Sequence, residues 1–194
     1  MVTTDVVIAG AGPIGLTAAI ELRRQGIRCR VVDPLLQPPQ YAKAVGIQPR
    51  TLEIFEGMGV VRQVLDASIQ MRGQIVYVNG AEVARIDLFL PPDVPYEFIA
   101  MPQYETERVL REHLSRFDTK VERGRAVASF QQDDAGVEIV LSGPDGDETV
   151  RASYLVGCDG AHSTVRKAMA TTFEGGAFTE QYMLGDVEVD WTQP

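Results

Sequence analysis

Near its start the chain reads Asp5-Val6-Val7-Ile8-Ala9-Gly10-Ala11-Gly12-Pro13-Ile14-Gly15, and the rest of the molecule is arranged around that segment. The apolar run Val6 to Ala9 is short and does not alternate with polar residues, which suits a strand buried on both faces of a parallel sheet. Gly10, Gly12 and Gly15 follow with the G-x-G-x-x-G spacing. The three glycines serve different ends. Gly10 permits the tight turn out of the strand, Gly12 leaves room for a pyrophosphate, and Gly15 lets the next helix pack against the strand. A helix starting near Pro13 loses nothing by proline's missing N–H and points its free amides and positive dipole end at that phosphate. Leu16, Ala19 and Ile20 follow its inward stripe, Gly26 stops it, and Arg28 to Val32 predicts a second strand. That strand ends in Asp33, about 20 residues beyond the glycines, where a carboxylate can hold a ribose 2′-hydroxyl. The acid favours an unphosphorylated ribose, as in FAD or NAD, without choosing between them.

Composition sets the bounds. The 194 residues, 45% hydrophobic, can bury one sizeable core. A formal net charge of −9 disfavours nonspecific binding to nucleic acid or anionic membranes. No apolar run approaches the roughly 20 residues that span a bilayer, and Asp5 leads directly into a strand without the basic region of a secretion signal. Cys29 and Cys158 form no C-x-x-C pair, so both are expected to be buried thiols in a reducing cytoplasm.

From Pro34 to Arg50, five residues of proline or glycine (Pro34, Pro38, Pro39, Gly46, Pro49) break any regular pattern. Lys43 in this loop either reaches a phosphate or flavin or is a solvated surface lysine. An amphipathic helix is expected over Thr51 to Met58, capped at Thr51 or beside Arg50, with a further helical turn over Val60 to Leu65. Gln74 to Val78 and Glu82 to Leu88 alternate around Asn79-Gly80, which predicts an antiparallel hairpin outside the parallel sheet. Tyr104 to Phe117 reads as a helix with Val109, Leu110, Leu114 and Phe117 inward and charged residues outward, His113 among them. Gln103 just ahead of it either bonds a ligand or only begins the helix. Ala126 to Phe130, Val137 to Leu141 and Thr149 to Ala152 predict a β-meander, and Tyr154 to Cys158 a separate buried parallel strand. Ser163 can cap a helix running on to Ala170.

That last strand ends in Asp159-Gly160-Ala161-His162-Ser163-Thr164-Val165-Arg166, at the carboxyl edge of a parallel sheet where ligands of open α/β folds collect. With the glycine segment upstream, with Gly46-Ile47-Gln48-Pro49-Arg50-Thr51-Leu52-Glu53, and with Gln103-Tyr104-Glu105-Thr106-Glu107, it resembles the FAD-dependent aromatic hydroxylases, the family of p-hydroxybenzoate hydroxylase. The resemblance implies an α/β fold: a Rossmann-like FAD-binding parallel sheet with a β-meander crossover and part of an antiparallel substrate-domain sheet. Residues 1–70 and 100–180 would form an incomplete FAD-binding domain, and 71–99 with 181–194 the start of the substrate-binding domain. It further implies FAD held by its pyrophosphate at Gly10, Gly12, Pro13, Ile14 and Gly15 and by its adenosine ribose at Asp33. Lys43, Gln103, Val127 and Asp159 would line the remainder, with Arg166 tying the second motif together.

The activity so implied is monooxygenation of a small aromatic substrate with NAD(P)H and O2. The flavin carries that chemistry, so no catalytic side chain is assigned, and neither His113 nor His162 is read as a base. Other flavoproteins of this fold, epoxidases or polyprenyl reductases, are the alternative, and a nucleotide-binding module without turnover is the alternative of another class. Two departures stand out. Lysine at position 43 replaces an arginine usual in the family and lacks its planar fork. The family's third motif, a Gly-Asp with small residues after it, is not Gly185-Asp186, because Val187 to Trp191 alternate like a strand. The chain is therefore expected to be an N-terminal portion whose uncovered edges favour homo-oligomers.

Overall fold

The computed structural model describes residues 2–41, 43–176, 178–181, 188 and 190. The chain begins with β1 (Val2–Ala9), α1 (Pro13–Arg24) and β2 (Cys29–Asp33). β3 (Gly46–Ile47), α2 (Pro49–Met58), α3 (Val61–Asp66), β4 (Ile69–Gln70), β5 (Gly73–Val78), β6 (Ala81–Asp87) and β7 (Ile99–Ala100) come next. α4 (Gln103–Ser115), β8 (Val121–Arg123), β9 (Ala126–Asp133), β10 (Gly136–Ser142), β11 (Glu148–Gly157) and α5 (Thr164–Ala168) complete the described elements. The main sheet has six strands in the order β8-β2-β1-β11-β10-β9. Its first four strands run parallel, and β10 and β9 join antiparallel.

The unbroken apolar run of β1 is explained by its two covered faces. Val6 and Ile8 pack with Leu16, Ile20, Leu52, Val109 and Leu110 of the helices. Val7 and Ala9 face the other way, toward Val127, Ile139, Leu141 and Val150 of the meander and Val165 of α5. Fully burying one such Val, Leu or Ile contributes about 1.5–3 kcal/mol, so these two layers supply most of the driving force that holds the central strand.

Several expectations need correction. The expected meander strand at Thr149 to Ala152 and parallel strand at Tyr154 to Cys158 are one strand: β11 pairs with β1 from Val150 to Gly157 while its first half also pairs with β10. Helix α2 begins at Pro49, with Gln48 in the N-cap position, so Thr51 lies inside it. Cys29 is buried, but Cys158 is only half-buried, and burial raises the pKa of both thiols. The hairpin forms as expected, with Asn79 and Gly80 at φ 51° and 81°, the left-handed pair of a type I′ turn. The alternating segment Val187 to Trp191 lies outside the described residues, apart from Glu188 and Asp190. Among the described residues no helix is long and apolar enough to cross a membrane.

His113 is the largest departure. Its ring is buried, sits edge-on to Phe117 at 5.7 Å, and neither nitrogen makes a well-formed hydrogen bond among the described residues, the Met58 backbone offering only a weak one. Burial, with the nearby Arg116 charge, holds its pKa below the usual imidazole value of 6.5. The folded state therefore favours neutral His113, whereas the unfolded chain takes up a proton near pH 6.5, so this contribution is whole above that pH and lost below it. Thermal melts from pH 7.5 down to pH 5.5 are expected to fall more steeply for the wild type than for His113→Leu. Parallel curves would show that His113 is not the titrating group.

Candidate cofactor groove

Three separate stretches of sequence converge at the carboxyl ends of β1, β2 and β11. The Gly10 amide donates to the Val32 carbonyl (2.8 Å), and the Cys158 amide to the Ala9 carbonyl (2.7 Å), which ties the first motif to both neighbouring strands. A groove of about 240 Å³ opens there, lined by Gly10, Gly12, Asp33, Lys43, Gln103 and Asp159, with Glu107, Arg123 and Cys158 among the others. The glycine turn and the later aspartate, remote in sequence, thus share one groove. An apolar cleft of about 340 Å³ adjoins it at Gln103, walled by Pro13, Ile47, Phe55 and Met101.

The three glycines differ physically. A Cβ on Gly10, which sits at φ +102°, would lie 2.3 Å from the Cys158 carbonyl oxygen, and one on Gly15 2.0 Å from the Gly10 oxygen. A Cβ on Gly12 would meet no atom within 4 Å. Gly10 and Gly15 are therefore demanded by the chain's own packing, whereas the space beside Gly12 is open to a ligand. Helix α1 starts at that point with no side-chain cap and no acidic residue in its first turn. Its orphan amides can therefore bind an anion, and no side chain among the described residues caps them in its place. Ile14, in that first turn, is 73% exposed.

Asp33 closes one end of the groove. Its Oδ2 accepts from the Ala11 amide (2.8 Å), and its Oδ1 from the Leu35 amide (3.0 Å) and Arg123 Nη1 (2.9 Å). Three of a carboxylate's roughly four acceptor positions are thereby filled, leaving one open to a further donor. Asp159 is more committed. Its oxygens accept from the Ser163 hydroxyl and from the amides of Thr164 (2.6 Å) and Val165 (3.2 Å). Partial burial raises its pKa, but the Ser163 hydroxyl and these amides outweigh that, and the carboxyl stays below its ordinary range. Asp159 shapes the start of α5, with Ser163 capping Arg166 N–H (3.0 Å) and Arg166 bonding the Ala161 carbonyl (3.0 Å).

Lys43 stands on the exposed rim, its Nζ 5.5 Å from the Tyr41 ring. Gln103 joins the groove to the apolar cleft and donates to Glu107 Oε1 (2.9 Å). Val127 belongs to the core beneath the sheet and meets Gly10 and Asp159 in a smaller neighbouring cleft. From the sequence, Arg123 carries no assignment and Glu107 enters only as the last residue of the Gln103-to-Glu107 segment. Nothing local to β8 marks Arg123, whereas Glu107 lies four residues after Gln103, a helical spacing that places the two together.

Residues 3–193 match the family described as FAD binding domain. A flavin-dependent monooxygenase from Mycobacteroides abscessus is 39% identical over 95% of this chain and 41% of its own length. A rifampicin monooxygenase from Streptomyces venezuelae is 35% identical over 97% of this chain and 38% of its own. The chain thus spans about two fifths of the length of these curated relatives. The flavin-dependent monooxygenase PieE, solved in complex with FAD and substrate, superposes with a TM-score of 0.84 at 29% identity, over 90% of this chain and 33% of that one. With the glycine turn, Asp33 and Asp159 gathered on one groove, and with the family match running nearly end to end, this chain belongs to the FAD binding domain family.

Proposed function

We propose that the groove holds FAD lengthwise, its pyrophosphate against Gly12 and the first amides of α1, its adenosine ribose on Asp33, and its other half toward Gln103, Lys43 and Asp159. The single observation that carries this reading is the open space at Gly12 between two glycines whose Cβ positions are blocked. FAD, when bound, would supply the redox chemistry, taking two electrons from NAD(P)H and activating O2 so that one oxygen atom enters an aromatic ring and the other leaves as water. The chain's own residues bind and orient: the helix amides neutralise phosphate charge, Asp33 and Gln103 fix the two halves, and Pro13, Ile47, Phe55 and Met101 offer an apolar wall that excludes water. The whole protein is accordingly read as an FAD-dependent monooxygenase of aromatic substrates. Likeness to monooxygenases, one of them solved with FAD and substrate, supports that reading. Residues 71–99, which include the separate β5–β6 hairpin, would begin the substrate-binding domain, while 1–70 and 100–180 belong to the FAD-binding domain.

The test is a protein preparation that takes up FAD stoichiometrically and oxidises NAD(P)H faster when a phenolic substrate is added. A colourless protein without that stimulation would support a module without turnover. Asp33→Ala is expected to weaken FAD by about 1–3 kcal/mol, roughly 5- to 150-fold in Kd, through the lost ribose bond and the loosened Ala11 turn. Fluorescence-quenching titration measures this. An unchanged Kd would leave Asp33 as a brace for Ala11 and Arg123 only.

A further inference from the structure

We infer that Glu107 is a positioning residue: it fixes which way the Gln103 amide faces the groove and, through that amide, how FAD is held. The inference rests on the FAD reading for its second half only. Gln103 and Glu107 lie one helical turn apart on α4, and the Gln103 Nε2 group donates to Glu107 Oε1 at 2.9 Å. The Glu107 side chain is only 2% exposed, and its one ion-pair partner among the described residues, Arg111, stands off at 3.8 Å. Arg111 Nη1 has no hydrogen-bond partner among the described residues, so this contact is loose.

A carboxylate so deeply buried and so loosely paired is a poor way to stabilise a helix, because an apolar residue of similar volume is often equal or better there. Its hydrogen bond to Gln103 has a different consequence. A primary amide has nearly the same shape in its two flipped orientations but opposite chemistry, since one end donates and the other accepts. A carboxylate only accepts, so Glu107 selects the orientation with the NH2 group inward. The Gln103 carbonyl oxygen, which receives no bond from the described residues, and the second N–H are left for the junction of groove and apolar cleft that Gln103 lines. In the same groove the partly buried Arg123 donates to Asp33 at 2.9 Å, so Asp33 and Gln103 are each held by a charged side chain.

The experiment compares Glu107→Leu, Glu107→Gln, Gln103→Leu and the Gln103→Leu/Glu107→Leu double variant. In cofactor-free protein, the side-chain N–H signals of Gln103 in nitrogen-15 NMR spectra should be resolved and protected from exchange in the wild type, should lose that protection in Glu107→Leu, and should keep only part of it in Glu107→Gln, whose amide donates as well as accepts and so allows both orientations. In FAD titrations, Glu107→Leu and Gln103→Leu are each expected to weaken binding about 10-fold, the double variant no more than either, and Glu107→Gln to fall between wild type and Glu107→Leu. Gln103 signals indifferent to Glu107→Leu, or losses that multiply in the double variant, would overturn the inference. If Gln103 responds as described but no variant, nor the wild type, binds FAD, then the cofactor assignment fails while the orientation of Gln103 by Glu107 stands.

Discussion

Gly12→Val is expected to abolish FAD binding, raising Kd at least about 100-fold, while leaving the folded structure and its melting temperature nearly unchanged. Both halves of that result follow from geometry. Gly12 sits at φ −74° and ψ −177°, extended backbone open to any residue, and a Cβ there would touch no protein atom within 4 Å. The added side chain instead fills the space at the head of α1, where a phosphate would meet the helix amides. Because charge-assisted bonds from several amides are lost together, the effect should exceed that of removing any single side chain. Flavin content after purification and a melting curve of the cofactor-free protein read the two halves separately. A variant that keeps wild-type flavin content would remove the phosphate from this turn.

The opposite pattern is expected three residues later. Gly15→Ala should destabilise the protein by about 2–4 kcal/mol whether or not cofactor is present, because overpacking forces backbone apart. The new Cβ would stand 2.0 Å from the Gly10 carbonyl oxygen and 3.3 Å from Cys158 Cβ, so α1 would have to move off the sheet. At this chain length the loss corresponds to a fall in melting temperature of about 5–15 °C. A melting temperature within about 1 °C of wild type would mean that α1 has freedom to shift that the close packing denies.

The contrast between these two glycines shows what could be read from sequence. The strand, turn, helix and acid from Asp5 to Asp33 were legible because each signal is local: an apolar run, three spaced glycines, a proline at the helix start and an acid at the next strand's end. The hairpin at Asn79-Gly80 was legible for the same reason. Where a residue's role depends on distant chain, the sequence was silent. Strand β11 belongs to two ladders at once, antiparallel to β10 up to Ala152 and parallel to β1 up to Gly157, and its pattern changes where the pairing with β10 stops. That change makes one strand look like two. The three residues of β8 carry no pattern of their own, yet they deliver Arg123 to Asp33 across the sheet edge.

His113 departs from expectation for a more instructive reason. It stands three residues after Leu110 and four before Phe117, on the same helical stripe as the apolar residues, so its spacing points inward while its polarity points outward. Spacing is the better guide. The same rule finds Glu107, four residues beyond Gln103, once position is weighed above charge.

One measurement tests the lengthwise grip most directly: amide chemical-shift mapping of the protein as FAD is added. The amides of Ala11, Gly12, Ile14 and Gly15, of Leu35, of Gln103 and of Asp159 and Gly160 are expected to move together along a single binding curve, while a separate cleft of about 370 Å³, lined by Asp134, Ala135 and Ser153 among others, is left unmoved. Shifts confined to that separate cleft, or separate curves for the glycine turn and for Gln103, would contradict the account.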